Sequence, residues 1–117
     1  MLLPLAALIL ASQPAVDRGA WVGTMPLCRD TVRRVAAARN RYSGEPTLIV
    51  TLTGEGRRRL AALTTQLVGR EMPIRVDGRI VSRPQVLEPV RGGRFELNGS
   101  GIAAPRLTAI VGAACPS

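Results

Sequence analysis

The side chains able to do chemistry are few. Histidine is absent, which removes imidazole general bases, the Ser/His and Cys/His nucleophile pairs and the commonest metal ligand together. Cys28 and Cys115 are the only thiols, too few for a metal site without histidine. The carboxylates Glu55, Glu71, Asp77, Glu88 and Glu96 are scattered, and no pair is spaced for acid/base work. Ser82 and Thr64 have no base of suitable type near them. Gly54 and Gly56 precede a helix and could cradle a phosphate, but the Lys-Ser/Thr of a P-loop and the full dinucleotide fingerprint are missing, and ordinary helix initiation accounts for them better. The expectation is a protein that is not an enzyme, with no catalytic, cofactor-binding or metal-binding residues and no cofactor.

What remains is charge. All 16 basic residues are arginine against 8 acidic ones, giving a net charge of +8. Such a balance suits an anionic partner or simply a solvated surface. Trp21, Tyr42 and Phe95 are the only aromatics, too sparse for single-strand nucleic-acid stacking, so nucleic acid is not the expected partner.

The elements that would position these groups make one domain, since 117 residues suffice for a single two-layer core. Met1 to Ala11 is an apolar run broken only by Pro4, too short to span a bilayer. It reads as a signal peptide over residues 1–15, although no basic residue precedes it. The folded unit is expected over residues 28–115. In an exported chain two cysteines favour a disulfide, here Cys28 to Cys115, which would tie the ends of the domain together. Two unpaired thiols or an intermolecular bridge are the alternatives.

Residues 32–42 fit a helix by propensity. The turn Ser43-Gly44-Glu45-Pro46 and the β-branched run Thr47 to Leu52 favour a hairpin instead. Thr53 stands where a helix N-cap belongs, and Leu60, Leu63 and Leu67 form one apolar stripe. Gly69 is the stop. Asp77-Gly78 between two apolar runs predicts a type I′ hairpin in which Val76 faces Arg79 and Ile74 faces Val81, with Arg75 and Ile80 on the opposite face. Pro84 ends the second strand, and Gly92-Gly93 leads to a strand from Arg94 to Leu97. Residues 103–114 suggest a closing helix. The expected fold is α+β, an antiparallel sheet of about four to five strands with two helices packed on one face.

In order and spacing, residues 52–99 resemble the head subdomain of the first periplasmic domain of SecD and SecDF, accessory subunits of the bacterial Sec translocon. The resemblance is carried by Leu52-Thr53, Glu55-Gly56, Leu60 with Leu63-Thr64, Val68-Gly69-Arg70, Ile74 to Gly78, Ser82 to Pro84, Gly92-Gly93 and Phe95 to Gly99. Departures are Pro73, Arg75 and the stretch Gly101 to Pro105. The resemblance implies a periplasmic or secreted domain without catalytic residues that touches unfolded or emerging polypeptide or an envelope complex. It does not imply coupling to proton flow, because the family's transmembrane helices have no counterpart after the leader. Thr53, Gly69, Asp77, Gly78, Pro84, Gly92, Gly93 and Gly99 are the structural positions of the motif. Arg75, Arg79, Arg83, Arg91 and Arg94 form the expected contact surface. The competing reading is a basic envelope module that binds an anionic polymer or membrane surface through its arginines.

Overall fold

The computed structural model describes residues 18–98 and 102–116. The expected leader and Gly99 lie outside the described residues. The elements run β1 (Ala20–Val22), β2 (Met25–Leu27), β3 (Val32–Arg39), β4 (Pro46–Leu52), α1 (Gly54–Leu67), β5 (Ile74–Val76), β6 (Arg79–Ser82), β7 (Arg94–Asn98) and α2 (Ala104–Val111). The class is α+β with two helices, and all strand pairs are antiparallel. The strands divide between two sheets, ordered β2-β1-β5-β6 and β3-β4-β7, where a single sheet was expected. The physical reason is local: β1 and β2 are three residues each, too short to show a period, and β1 pairs with the distant β5.

Residues ahead of Cys28 belong to the core. Ala20, Val22, Met25 and Leu27 are buried together with Leu48, Val50, Leu60, Leu97 and Leu107. Helix α1 contacts β2 and β4, and α2 contacts β1 and β3, so each helix spans one strand of either sheet. Residues 32–39 form a strand, the hairpin alternative for that stretch. β3 pairs with β4 in register from Val35↔Val50 to Arg39↔Pro46, with an irregularity at Arg33. At its tip the Asn40 side-chain oxygen accepts from the Tyr42 and Ser43 N–H groups, an Asx turn.

Helix α1 starts at Thr53, whose hydroxyl accepts from Gly56 N–H at 3.0 Å and donates to the Asp30 carbonyl at 2.6 Å. The β2–β3 turn lies across this end of the helix, with Thr53 N–H donating to the Thr31 carbonyl at 2.9 Å. A β-carbon at Gly56 would collide with that same carbonyl, so the close approach requires glycine here. The start of α1 is thereby covered by protein, which argues against a phosphate cradle.

At the far end, Gly69 is left-handed with φ 86°, yet its N–H donates to Val86 rather than closing the helix. Asp77 and Gly78 have φ 49° and 84°, the signs that a type I′ turn needs. Val76 faces Arg79, but Arg75 faces Ile80 and Ile74 faces Ser82. The expected Ile74–Val81 pairing is displaced by a bulge, which leaves Val81 as the extra residue. Pairing resumes beyond Ser82, where the Pro84 carbonyl accepts from Met72 N–H. Cys28 and Cys115 are bridged, with Cα atoms 5.0 Å apart and a sequence separation of 87. No helix among the described residues is long and apolar enough to cross a membrane.

Candidate functional site

An apolar opening lies between the carboxyl half of α1 and the β5–β6 hairpin. It is a groove of about 320 Å³ walled by Leu63 and Leu67 on one side and by Pro73 and Ile80 on the other. Its size is near the low end of the few hundred Å³ usual for ligand sites. The two leucines belong to the helical stripe whose deepest member, Leu60, is wholly buried, and the stripe is wider than the core it serves. The floor is the β1–β2 turn at Gly23 and Thr24. Gly23 has φ 58°, and a β-carbon there would press on Leu63 at 3.0 Å, so glycine keeps the groove open.

The rim is charged. Arg75 faces the groove from β5, and its Nε is buried without an acceptor among the described residues. Trp21 and Ile80 are its cross-strand neighbours on the same sheet face. Glu71 lies at the other margin, 4.0 Å from Arg83, both side chains more than half exposed. A surface pair at that distance adds little stability. Ile80 is 44% exposed and presents its aliphatic side chain at the edge of the groove.

Of the five arginines expected to form one surface, the structure gathers Arg75, Arg79 and Arg83 on or just after the β5–β6 hairpin. Arg79 opposes Val76, on the sheet face away from the groove. Arg94 belongs to the other sheet, where it faces Thr51, and Arg91 precedes it in the exposed loop. The motif positions act locally: Thr53 caps α1, Asp77 and Gly78 form the turn, and Gly93 packs under Arg57. Among the described residues no three cysteine or carboxylate side chains come together as a metal-ligand set.

Asp77 has a second role that its turn position conceals. Its two carboxylate oxygens accept from Arg106 Nε at 2.9 Å and from Arg106 Nη2 at 2.8 Å, and one also takes Gly19 N–H at 3.1 Å. The paired hydrogen bonds from Arg106 hold the carboxyl below its usual range, the Gly19 N–H adds to this, and slight desolvation opposes it. Nothing local in the sequence marks Arg106. Strand alternation sets Ile80 and Arg75 opposite the core face, but Leu63 and Leu67 read in the sequence only as part of the core-facing stripe, so the groove itself was not legible.

The family described as SecDF, P1 head subdomain, matches residues 20–111. The protein translocase subunit SecD of Acidaminococcus fermentans is 36% identical over 58 residues, 50% of this chain and 14% of that protein. SecD of Desulfurispirillum indicum is 34% identical over 90 residues, 72% of this chain and 17% of that protein. The chain thus spans under a fifth of the length of either relative. A solved structure described as a membrane component SecDF that enhances protein export superposes with a TM-score of 0.63 at 25% identity, covering 73% of this chain and 40% of that one. With the match running from β1 through α2, the chain belongs to the SecDF P1 head subdomain family.

Proposed function

We propose that the protein is an exported, non-catalytic module that contacts unfolded or newly secreted polypeptide in Sec-dependent translocation. In this reading residues 1–15 are the signal peptide that takes it to the periplasm. The observation that carries the proposal is the open apolar groove of Leu63, Leu67, Pro73 and Ile80, in a chain similar to protein translocase subunits. The Cys28–Cys115 bridge fits an oxidising compartment.

The geometry favours insertion of apolar side chains over strand addition. β6 is the edge of its sheet, but it is four residues long, carries a bulge and runs into Arg83-Pro84, features that blunt an edge. A passing chain would set one or two apolar residues against Ile80 and Leu67, with Arg75 and Glu71 available to its polar groups.

Ile80→Glu tests this, because Ile80 is exposed enough for the fold to survive the change. Affinity for a reduced, alkylated unfolded polypeptide, measured by fluorescence anisotropy, should fall about tenfold, the loss of one buried aliphatic contact. The melting midpoint should stay unchanged. Unaltered affinity that collapses with added salt would replace the groove by the arginine-driven reading.

A further inference from the structure

One concentration of unpaired positive charge among the described residues lies away from both the groove and the five arginines singled out in the sequence. Arg29, on the β2–β3 turn, and Arg33 and Arg34, at the start of β3, line one open groove of about 570 Å³ beside the end of α2. Thr53 and Thr108 also line it, and Val32, Val35 and Val111 supply its apolar lining. No carboxylate lines it. The irregularity at Arg33 in the β3–β4 ladder is what lets the successive residues Arg33 and Arg34 both be exposed. The ion pairs among the described residues engage Arg59, Arg83 and Arg106, leaving these three cations without one. The carboxyl end of α2 at Gly112 opposes an anion with about half a charge, against three guanidinium groups.

The basic character continues along the strand. β3 is an edge strand of eight residues, a span of roughly 26 Å at 3.3 Å per residue. Its middle carries exposed Ala36 and Ala37, small enough for a flat surface to approach closely. At its far end stand Arg39 and Arg41, and then Tyr42, which is 91% exposed. The acids next to this edge are Asp30 and Glu45, two against five arginines.

From this arrangement we infer that the β2–β3 turn and β3 form a docking edge for an anionic phospholipid surface, with a headgroup phosphate seated among Arg29, Arg33 and Arg34. Guanidinium groups match phosphate oxygens in paired hydrogen bonds, and the valines beneath suit the glycerol and first methylenes that follow a headgroup. A membrane meets the whole row at once, which one acidic side chain of a peptide would not. Tyr42 at the tip is of the type that partitions to the headgroup level. The edge is independent of the polypeptide groove, so either reading can fail alone.

The test is cosedimentation of the full chain with vesicles of phosphatidylcholine, or of phosphatidylcholine containing phosphatidylglycerol. The apolar amino-terminal run is common to every variant, so only differences between variants and between lipids are read. Binding should require phosphatidylglycerol and weaken with salt. The double variant Arg33→Ala and Arg34→Ala should lose about tenfold or more in affinity, since each arginine near an anionic leaflet contributes on the order of 1 kcal/mol. Tyr42→Ser should weaken binding less, while Ile80→Glu and the pair Arg91→Ala and Arg94→Ala should leave it intact. Equal binding to both lipids overturns the inference. So does an equal loss in the Arg91/Arg94 variant, which would mean diffuse charge. A soluble polyglutamate that binds as tightly, with the same dependence on Arg33 and Arg34, would make the edge a site for acidic polypeptide and equally reject the lipid.

Discussion

The two helices do the same job by opposite means. α1 is fourteen residues long, begins with a side-chain cap and presses its first turn against the Thr31 carbonyl through a glycine. α2 is eight residues, has no side-chain cap, and begins with a proline in its first turn. It buries Leu107, Ile110 and Val111, but it is also held at each end by something remote: Arg106 grips Asp77 at the start, and Cys115 is bonded to Cys28 just past the end. A helix of two turns cannot sustain itself by local signals, because nucleation is costly and few hydrogen bonds repay it. The longer helix is specified by its own sequence and by backbone contact; the shorter one is specified by ties to the rest of the fold.

If that contrast holds, breaking the remote covalent tie should cost most. Replacing Cys28 and Cys115 with serine should destabilise the protein by about 2 to 5 kcal/mol, since the closed loop is long. The denaturant midpoint gives this directly, and hydrogen exchange should show α2 losing protection before α1. Uniform loss in both helices would erase the distinction.

The next effect belongs to α1. Gly56→Ala should cost about 1 to 3 kcal/mol by overpacking against a backbone carbonyl that has no side-chain freedom to retreat. Gly54→Ala, two residues away, is the control, because its β-carbon would meet only the mobile end of Arg58 at 3.4 Å. Equal effects at the two glycines would remove the close approach as the anchor of α1.

The smallest effect sharpens the comparison by pH. The Asp77 carboxyl is depressed chiefly by the Arg106 hydrogen bonds, so the pair stabilises the folded state above the ordinary carboxylate pKa of 3.8. That contribution is lost as pH falls through the lower folded value, so stability should decline on acidification below about pH 4. The Arg106 and Asp77 side chains are 56% and 39% exposed, so water screens much of it and the change is small. In Asp77→Asn the acid-dependent part of the melting midpoint carried by this pair should vanish; an identical pH profile would show that the clasp does not hold α2.

Local chemistry explains which parts were readable in advance. Thr53, the leucine stripe and Asp77-Gly78 act on neighbours a few residues away, so type and spacing reveal them. The β1–β2 hairpin is invisible because three-residue strands such as Ala20–Val22 have no period, and its partner lies in β5. The Val81 bulge displaced a register inferred from turn length alone. Gly56 stood in the family motif, but its reason, the Thr31 carbonyl, comes from a turn more than twenty residues earlier. For the functional surface, equal weighting of arginines was the obstacle. Only the fold separates those on the β5–β6 hairpin from Arg94 on the other sheet, and both from the Arg29, Arg33 and Arg34 cluster.

The disulfide also decides where the protein bears load. Because Cys28 and Cys115 lie 5.0 Å apart at the Cα atoms, a pull on the chain outside them crosses the domain through the covalent bridge. The 3-stranded sheet, α1, the β5–β6 hairpin and α2 all lie within the enclosed loop, off the covalent path of the load. Of the described strands, β1 and β2 lie outside it, and a pull on the amino-terminal side passes through their pairing with β5 until that pairing gives way. Such a force leaves the β3 edge off the load path but draws Gly23 and Thr24, the floor of the groove, away with the two strands.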